Sequence, residues 1–226
     1  MVNSPGERAS TRQPRSVEGE PGRGSARSRG AGRPRDTRID DAVRDAVLGT
    51  LKESGYSGLT MERIAARAGT TKPAIHRRWH TRQHLVVDAL ATTLGTEPTP
   101  DTGCTHCDLV EGIGTLTKAF AGDTVLRRAL PGLVADLQDD PALATSFFER
   151  LFHPRRATTA AALRRGVERG EIRADADLDL LLDMLGATTY YRALFGHLPI
   201  TPALAEQVVN VVLEGVATQR WRAAHR

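Results

Sequence analysis

The sequence has 226 residues, of which 40% are hydrophobic and 4% aromatic, and its formal net charge is +4. This length suffices for one or two domains with a buried core, whereas two cysteines are too few for the disulfide framework of a small secreted protein. No apolar run reaches the roughly 18 to 20 residues that span a bilayer. Composition thus excludes a membrane protein, a collagen-like chain and a disulfide-stapled domain, and we expect a cytoplasmic protein without a membrane partner.

Positive charge is concentrated in the first third of the chain. Residues 1–38 carry nine arginines and four acidic residues, a net charge of +5, and residues 39–94 carry a net +2. The remainder, 95–226, carries a net −3. This distribution fits a chain whose front part approaches a polyanion while its rear part has another task.

Residues 1–36 are rich in Gly, Pro, Ser and Arg and contain almost no large apolar side chain. Such a segment buries too little surface to offset its ordering entropy, so we expect a disordered leader. Arg33 and Arg35 lie just before the first predicted helix. Extended arginine arms at that position enter the DNA minor groove in homeodomains, which makes both residues candidate DNA contacts. A leader that engages nothing is the alternative.

Residues 37–94 are predicted to form a DNA-binding domain of short helices. Apolar residues recur with helical spacing from Ile39 to Leu51, and a second helix is expected from Thr60 to Gly69. Thr70 and Thr71 precede a third helix that extends to about Trp79, and Thr81 precedes a fourth. Residues 95–103, with two prolines, are predicted to be a linker.

The rear part, residues 104–222, is predicted to be entirely helical, because no segment of useful length alternates with period two. The expected helices are one with an apolar stripe from Leu109 to Phe120, one from Val125 to Leu137 interrupted by Pro131, one opened by Asp140 and Pro141, one from Pro154 to Gly170, one from Leu178 to about Phe195, and one from Pro202 to near Trp221. The predicted fold class is therefore all-α, with a helical-bundle domain behind the DNA-binding domain.

The second and third helices, joined by Gly69, Thr70 and Thr71, fit a helix-turn-helix. A single helix fits the DNA major groove, where base edges expose a distinct pattern of donors and acceptors. The third helix opens with small or polar residues, which allow a close approach to bases, and then turns basic at His76, Arg77 and Arg78. We expect an apolar seam between the two helices, formed by Ile64, Ala65, Ala68, Ile75 and Trp79.

Residues 60–86 resemble the signature of the TetR family of bacterial transcriptional regulators, and segments at 101–103, 139–141, 154–156, 169–177 and 190–191 are similar to a C-terminal regulatory domain of that family. The resemblance implies a homodimer with two DNA-binding heads and a helical body that binds a ligand. By position, it implies phosphate contacts for Thr60, Thr71, His76 and Arg82 and base-edge contacts for Thr70, Lys72, Pro73 and Ala74. Arg77 is a further candidate DNA contact, with a solvated surface residue as the alternative. His76 stands where the family commonly has tyrosine.

The last helix carries Leu and Val on more than one face, and together with the helix at 178–185 it is expected to form a four-helix bundle across a twofold axis. The body is also expected to hold a pocket for a small, partly apolar effector. The candidate pocket residues are Phe120, Leu133, Phe147, Phe148, Phe152, Met184, Tyr190 and Tyr191.

No nucleotide-binding, hydrolase or metalloprotease motif occurs, so we expect no enzyme, no catalytic residue and no cofactor. Cys104, His106 and Cys107 supply three metal ligands without a matching partner, so no metal site is predicted, although a redox role for the two cysteines stays open. The predicted function is a sequence-specific transcriptional regulator, a homodimeric repressor that a small-molecule effector releases from a palindromic double-stranded DNA operator. The alternative is a non-specific, nucleoid-associated DNA-binding protein.

Overall fold

The structure is a computed structural model that describes residues 37–94 and 97–224. Its helices are α1 (Thr37–Ser54), α2 (Met61–Arg67), α3 (Lys72–His76), α4 (Arg82–Leu94), α5 (Thr105–Phe120), α6 (Val125–Leu137), α7 (Pro141–Phe147), a π turn (Phe148–Phe152), α8 (His153–Glu168), α9 (Leu178–Phe195), α10 (Leu204–Val216) and α11 (Gln219–Ala224). Within these ranges the one strand-like pairing is an isolated bridge between Ile172 and Ala217. The all-α prediction is confirmed. We call α1–α4 the head and α5–α11 the body.

Threonine hydroxyls define the starts of three head helices, as predicted. The Thr60 hydroxyl accepts a hydrogen bond from the backbone amide of Arg63 at 3.2 Å, and the Thr71 hydroxyl accepts one from Ala74 at 3.4 Å. Thr81 accepts from the amide of His84 at 3.3 Å. Each bond satisfies one amide that the first helical turn leaves without a partner.

The turn between α2 and α3 passes through Gly69, whose φ of +63° is the left-handed conformation that favours glycine. Helix α3 ends at His76, one turn earlier than predicted, because a tighter hydrogen bond that spans three residues instead of four replaces the regular helical pattern there. The amides of Arg78 and Trp79 both donate to the carbonyl of Ile75.

One continuous core joins the head to part of the body. We call it the head-side core. Its buried members are Val43, Ala46, Val47, Leu51, Leu59, Ile64, Ala65, Ile75, Trp79, Leu85, Val86, Val87, Ala89 and Leu90 in the head, with Leu116, Phe120, Leu126, Ala129, Leu130, Leu133, Leu143, Leu151, Ala193, Ile200 and Leu204 in the body. A second, body-side core lies among α5, α8, α9 and α10. The predicted linker therefore does not separate two independent cores.

Pro131 is expected to interrupt its helix and does not, whereas Pro154 lies in the first turn of a helix, as predicted. Helix α6 runs unbroken through Pro131, next to the buried Leu130 and Leu133. The chain is also continuously helical from Pro141 to Glu168, with Pro154 as the second residue of α8. The π turn ends at Phe152, two residues before Pro154, and its wider winding leaves room for a ring that a regular α-turn crowds.

The predicted last helix is divided into α10 and α11. The carbonyl of Val216 accepts a hydrogen bond from the backbone amide of Arg173, and the amide of Thr218 donates to the backbone carbonyl of Glu171. These contacts take the backbone at Ala217 out of the helix and form the isolated bridge. None of the helices in the two described ranges is long and apolar enough to cross a membrane.

Candidate DNA-binding surface and effector cavity

Helices α2 and α3 present most of the predicted DNA contacts to solvent. The exposed candidates are Thr60, Thr71, Lys72, Pro73, His76 and Arg77, and the half-buried ones are Thr70 and Ala74. They lie together on the turn, on α3 and at the start of α2. Arg33 and Arg35 lie outside the described residues.

The predicted apolar seam holds α3 in this exposed position. Ile64 and Ile75 are fully enclosed, Ala65 is buried, and Trp79 is 6% exposed. Ala68 is partly buried and packs against the same core. The buried seam explains how a helix of only five residues keeps a fixed orientation, since so short a helix is unstable by itself.

The basic residues of α3 and of the two positions after it have different partners. Lys72 forms an exposed ion pair with Glu62 of α2, and the hydrogen bond from Lys72 lowers the pKa of that carboxylate. Arg77 is exposed, and no salt bridge to it occurs in the described part of the chain. Arg78 points inward instead, with its Nε 2.5 Å from the buried Asp40 carboxylate of α1. Lys72 and Arg77 are thus available to a polyanion, whereas Arg78 joins α3 to α1.

Arg82, the first residue of α4, holds the loop between α1 and α2. Its Nη1 donates to the Leu59 carbonyl at 2.8 Å and to the Tyr56 carbonyl at 3.4 Å. The guanidinium also lies over the Tyr56 ring, 5.3 Å from its centroid. These contacts indicate a structural role that sequence reasoning missed, and the phosphate contact of Arg82 stays a prediction.

Tyr56 connects the head to α6 of the body. Its hydroxyl donates to Oδ2 of Asp136 at 2.7 Å, and the Gln83 side chain donates to the same oxygen at 2.9 Å. Burial, together with the Asp136 carboxylate, raises the pKa of Tyr56, so the phenol stays protonated. Gly132 of α6 allows the Tyr56 ring to lie directly against the helix backbone.

Asp88 of α4 makes a second connection between head and body. Its Oδ2 accepts from Nε of Arg44 at 2.8 Å, and its other oxygen pairs with Arg150 of the π turn. The Asp88 side chain is 5% exposed. Burial by itself would raise the pKa of Asp88, but the hydrogen bonds from the two arginines outweigh it and lower the pKa.

The body contains a cavity of about 620 Å³ between α5, α8 and α9, closed on one side by residues 97–100. Of the predicted pocket residues, Phe152 and Tyr190 line it. A small neighbouring cavity of about 20 Å³ is lined by Phe120, Leu133 and Phe147, and also by Phe152 and Tyr190. Sequence reasoning missed the polar members of the large cavity, among them Arg155, Thr158 and Thr159 of α8.

Three of the predicted pocket residues line neither cavity. Phe148, Met184 and Tyr191 are 40%, 43% and 57% exposed. Met184 and Tyr191, which are seven residues or about two turns apart, belong to an outward apolar stripe that runs along α9 and past its end, and Phe148 lies on the π turn. We call this the α9 stripe; it comprises Leu180, Met184, Tyr191, Leu194, Phe195 and Leu198. Val211 of α10 is a further exposed apolar residue.

Cys104 opens helix α5: its Sγ accepts from the Cys107 amide at 3.4 Å. Both cysteines are free thiols. Nε2 of His106 pairs with the side-chain oxygen of Asn210 at 2.8 Å instead of turning toward the thiols. In residues 37–94 and 97–224, no group of three or more His, Cys, Asp or Glu residues is arranged to hold a metal ion.

Comparison with known proteins gives matches over nearly the whole described chain. Residues 44–89 match the model of "Bacterial regulatory proteins, tetR family", and residues 99–212 match "Tetracyclin repressor-like, C-terminal domain". The regulator AqdR of Rhodococcus erythropolis is 32% identical over 80% of this chain and 86% of its own length. A DNA-binding transcriptional repressor of Mycobacteroides abscessus is 31% identical, over 76% of this chain and 90% of its own. The crystal structure of the regulator SCO0332 aligns with a TM-score of 0.66 and 31% identity, covering 80% of this chain and all of that one.

Proposed function

Since the chain belongs to the TetR family of bacterial transcriptional regulators, we propose that it acts as a homodimeric repressor that a small-molecule effector releases from a palindromic operator. It is a sequence-specific DNA-binding regulator, and the nucleoid-associated alternative is not favoured. The observation that carries the proposal is the exposed tip of α3, held outward by a buried seam.

In this proposal Lys72 and the start of α3 face base edges, while Thr60, Thr71, His76 and Arg77 contact phosphates. The exposure of these side chains supports the assignment. In free protein Lys72 is paired with Glu62, and DNA would replace that carboxylate as its partner. The exchange takes place in water, where an exposed ion pair contributes only about 0.2 to 1 kcal/mol, so Glu62 is a weak competitor.

Lys72→Ala tests the assignment, with Lys118→Ala as the control because Lys118 is an exposed lysine of α5 in the body. Operators selected from a random duplex library are titrated by fluorescence anisotropy at several salt concentrations. If Lys72 reads a base edge, its removal relaxes the preference at one base step, at a cost of about 1 to 3 kcal/mol on the preferred sequence. Equal weakening on all sequences would assign Lys72 to a phosphate. Lys118→Ala is expected to change neither the base preference nor the overall affinity for DNA. If Lys72→Ala also leaves both unchanged, the assignment of Lys72 to the DNA contact is overturned.

The α9 stripe supports homodimer formation. Its apolar side chains lie along one face of an 18-residue helix and continue beyond its end to Leu198. A contiguous apolar surface of this kind is uncommon on monomeric proteins and marks an interaction site. A twofold-related copy of the same helix would cover it, and the two heads would then meet two half-sites.

The cavity of about 620 Å³ supports the effector part of the proposal. Its volume lies within the range of about 300 to 1,000 Å³ that is usual for small-molecule sites. The residues around it belong to α5, α8, α9, residues 97–100 and the end of α4, and α4 also carries Asp88 of the head–body connection. An effector that prefers one arrangement of these helices shifts the equilibrium between DNA-binding and released forms.

A further inference from the structure

Arg155 occupies a central position in the body. It lies on α8 in the wall that the two cavities share, and it lines both of them together with Leu94, Leu116, Phe152 and Tyr190. Apart from Arg155, the small cavity is lined by apolar and aromatic side chains. The guanidinium therefore lies at the boundary between a ligand-sized cavity of mixed polar and apolar lining and a small apolar cavity.

The environment of Arg155 contains no counter-ion within the two described ranges. Arg156, the next residue, pairs with Asp179 at 3.1 Å and with Asp183 at 2.5 Å. Arg165 of the same helix lies 3.3 Å from Asp101. The Arg155 guanidinium donates instead to a neutral backbone carbonyl, that of Leu94, at 3.0 Å.

Burial lowers the pKa of Arg155, and the nearby Tyr190 side chain opposes the shift only in part. Arginine nevertheless stays charged in proteins, so the cavity wall carries a partly desolvated cation whose charge is not balanced locally. A ligand anion would supply the missing charge and accept hydrogen bonds in the planar geometry that guanidinium prefers.

The rest of the cavity indicates what accompanies the anion. Apolar groups of α4, α5, the π turn and α9 line it, including Leu94, Ile113 and Leu182. Two lining carboxylates, Glu97 and Glu111, are exposed to solvent, and a third, Asp183, is already paired with Arg156. The acidic groups are thus hydrated or paired, whereas Arg155 is only partly exposed to water and has no carboxylate partner in the described residues, and the arrangement favours one negative group on an otherwise apolar molecule.

We propose that the effector is an amphipathic molecule with a single anionic group, of the carboxylate or phosphate class, which binds the Arg155 guanidinium. This inference rests on the proposed effector function of the cavity. Leu94 is the last residue of α4, so the guanidinium that would bind the anion also holds the end of that helix, and an anion that draws the side chain toward itself acts on this contact. Binding would weaken the bond from Arg155 to α4, the helix that follows α3 and carries Asp88.

Three probes of equal chain length test the charge requirement on the full chain by isothermal titration calorimetry: decanoate, decanol and decylamine. We expect decanoate to bind at least about tenfold more tightly than decanol, which corresponds to 1.4 kcal/mol, and decylamine to bind most weakly. Decyl phosphate as a fourth probe distinguishes the two anion classes. Binding of decanoate is further expected to weaken the affinity for a selected operator.

Arg155→Met is expected to abolish the preference for decanoate over decanol, while Arg155→Lys keeps part of it because the positive charge remains. Arg164→Met is the matched control, since Arg164 is an exposed arginine of the same helix that lines neither cavity. Thermal melts establish that each variant is folded.

Equal binding of decanoate and decanol to the unaltered protein would overturn the anionic class and leave the cavity as an effector site. Failure of all four probes to bind would likewise overturn the proposal of an anionic, amphipathic effector. The proposed function fails separately, if the chain shows no preference for any selected duplex over random DNA.

Discussion

Replacing Gly132 by alanine is expected to destabilise the protein although alanine is the better helix former. In the middle of a helix alanine is favoured over glycine by about 1 kcal/mol. A Cβ at Gly132, however, would lie 2.3 Å from Cδ1 and 2.9 Å from Cγ of Tyr56. These atoms belong to the inner half of a packed ring, so the side chain cannot avoid the clash by moving its tip. Crowding of this kind costs about 1 to 3 kcal/mol.

Displacing the ring also affects the hydrogen bond from Tyr56 to Asp136, and a bond to a charged group contributes about 1.5 to 3 kcal/mol. The half-buried position of Tyr56 favours the lower end of both ranges. Subtracting the gain in helix propensity leaves a net destabilisation of about 1 to 3 kcal/mol for Gly132→Ala. The same variant should weaken the connection between α6 and the head.

Gly114→Ala in α5 is the matched control, because a Cβ there meets no atom within 4 Å. It is expected to stabilise the protein by up to about 1 kcal/mol. Urea denaturation followed by far-UV circular dichroism compares the two variants with the unaltered chain. If Gly132→Ala gains as much stability as Gly114→Ala, the Tyr56 ring does not pack on α6 in solution and the reasoning is refuted.

Three further predictions concern the head, the head–body connection and the dimer. Trp79→Ala should lower the free energy of unfolding by about 3 to 5 kcal/mol, and an unchanged urea midpoint would contradict its place in the seam. The pKa of Asp88 is lowered by Arg44 and Arg150, so the stability it contributes is complete above about pH 4 and is lost as pH falls through the folded-state pKa. Asp88→Asn should therefore destabilise the protein at neutral pH, by about 1 to 3 kcal/mol, and less in acid; a difference independent of pH would count against the pairing. Tyr191→Lys, in the middle of the α9 stripe, should yield monomers in light scattering, whereas a dimer that persists would exclude the stripe as the interface.

Local interactions made the head predictable from sequence. A hydroxyl at Thr60 or Thr71 needs only an amide three residues later, and the apolar spacing that buries Ile64 and Ile75 is visible within one helical turn. The contacts that tie head to body were not predictable in this way. Tyr56 and Asp136 are 80 residues apart in sequence, and no periodicity relates them.

The effector cavity shows a different limit. Helix α9 is apolar on several sides, so its sequence does not reveal which apolar residues face the cavity and which face outward. Tyr190 and Tyr191 illustrate this: consecutive residues on a helix point about 100° apart, and only Tyr190 lines the cavity. Arg155 was missed because an arginine on a polar helix resembles an ordinary surface residue until its missing counter-ion is seen.

The shared core has a consequence for protein engineering. A hybrid regulator made by grafting residues 37–94 onto a foreign sensor would cut through the packing between α4 and the first half of the body. Leu85 and Leu90 would then lose Leu130, Leu133 and Leu143, which belong to the same buried cluster. The transplantable unit therefore includes α6 and α7, and specificity for DNA is better exchanged by altering the exposed tip of α3 in place than by swapping the head.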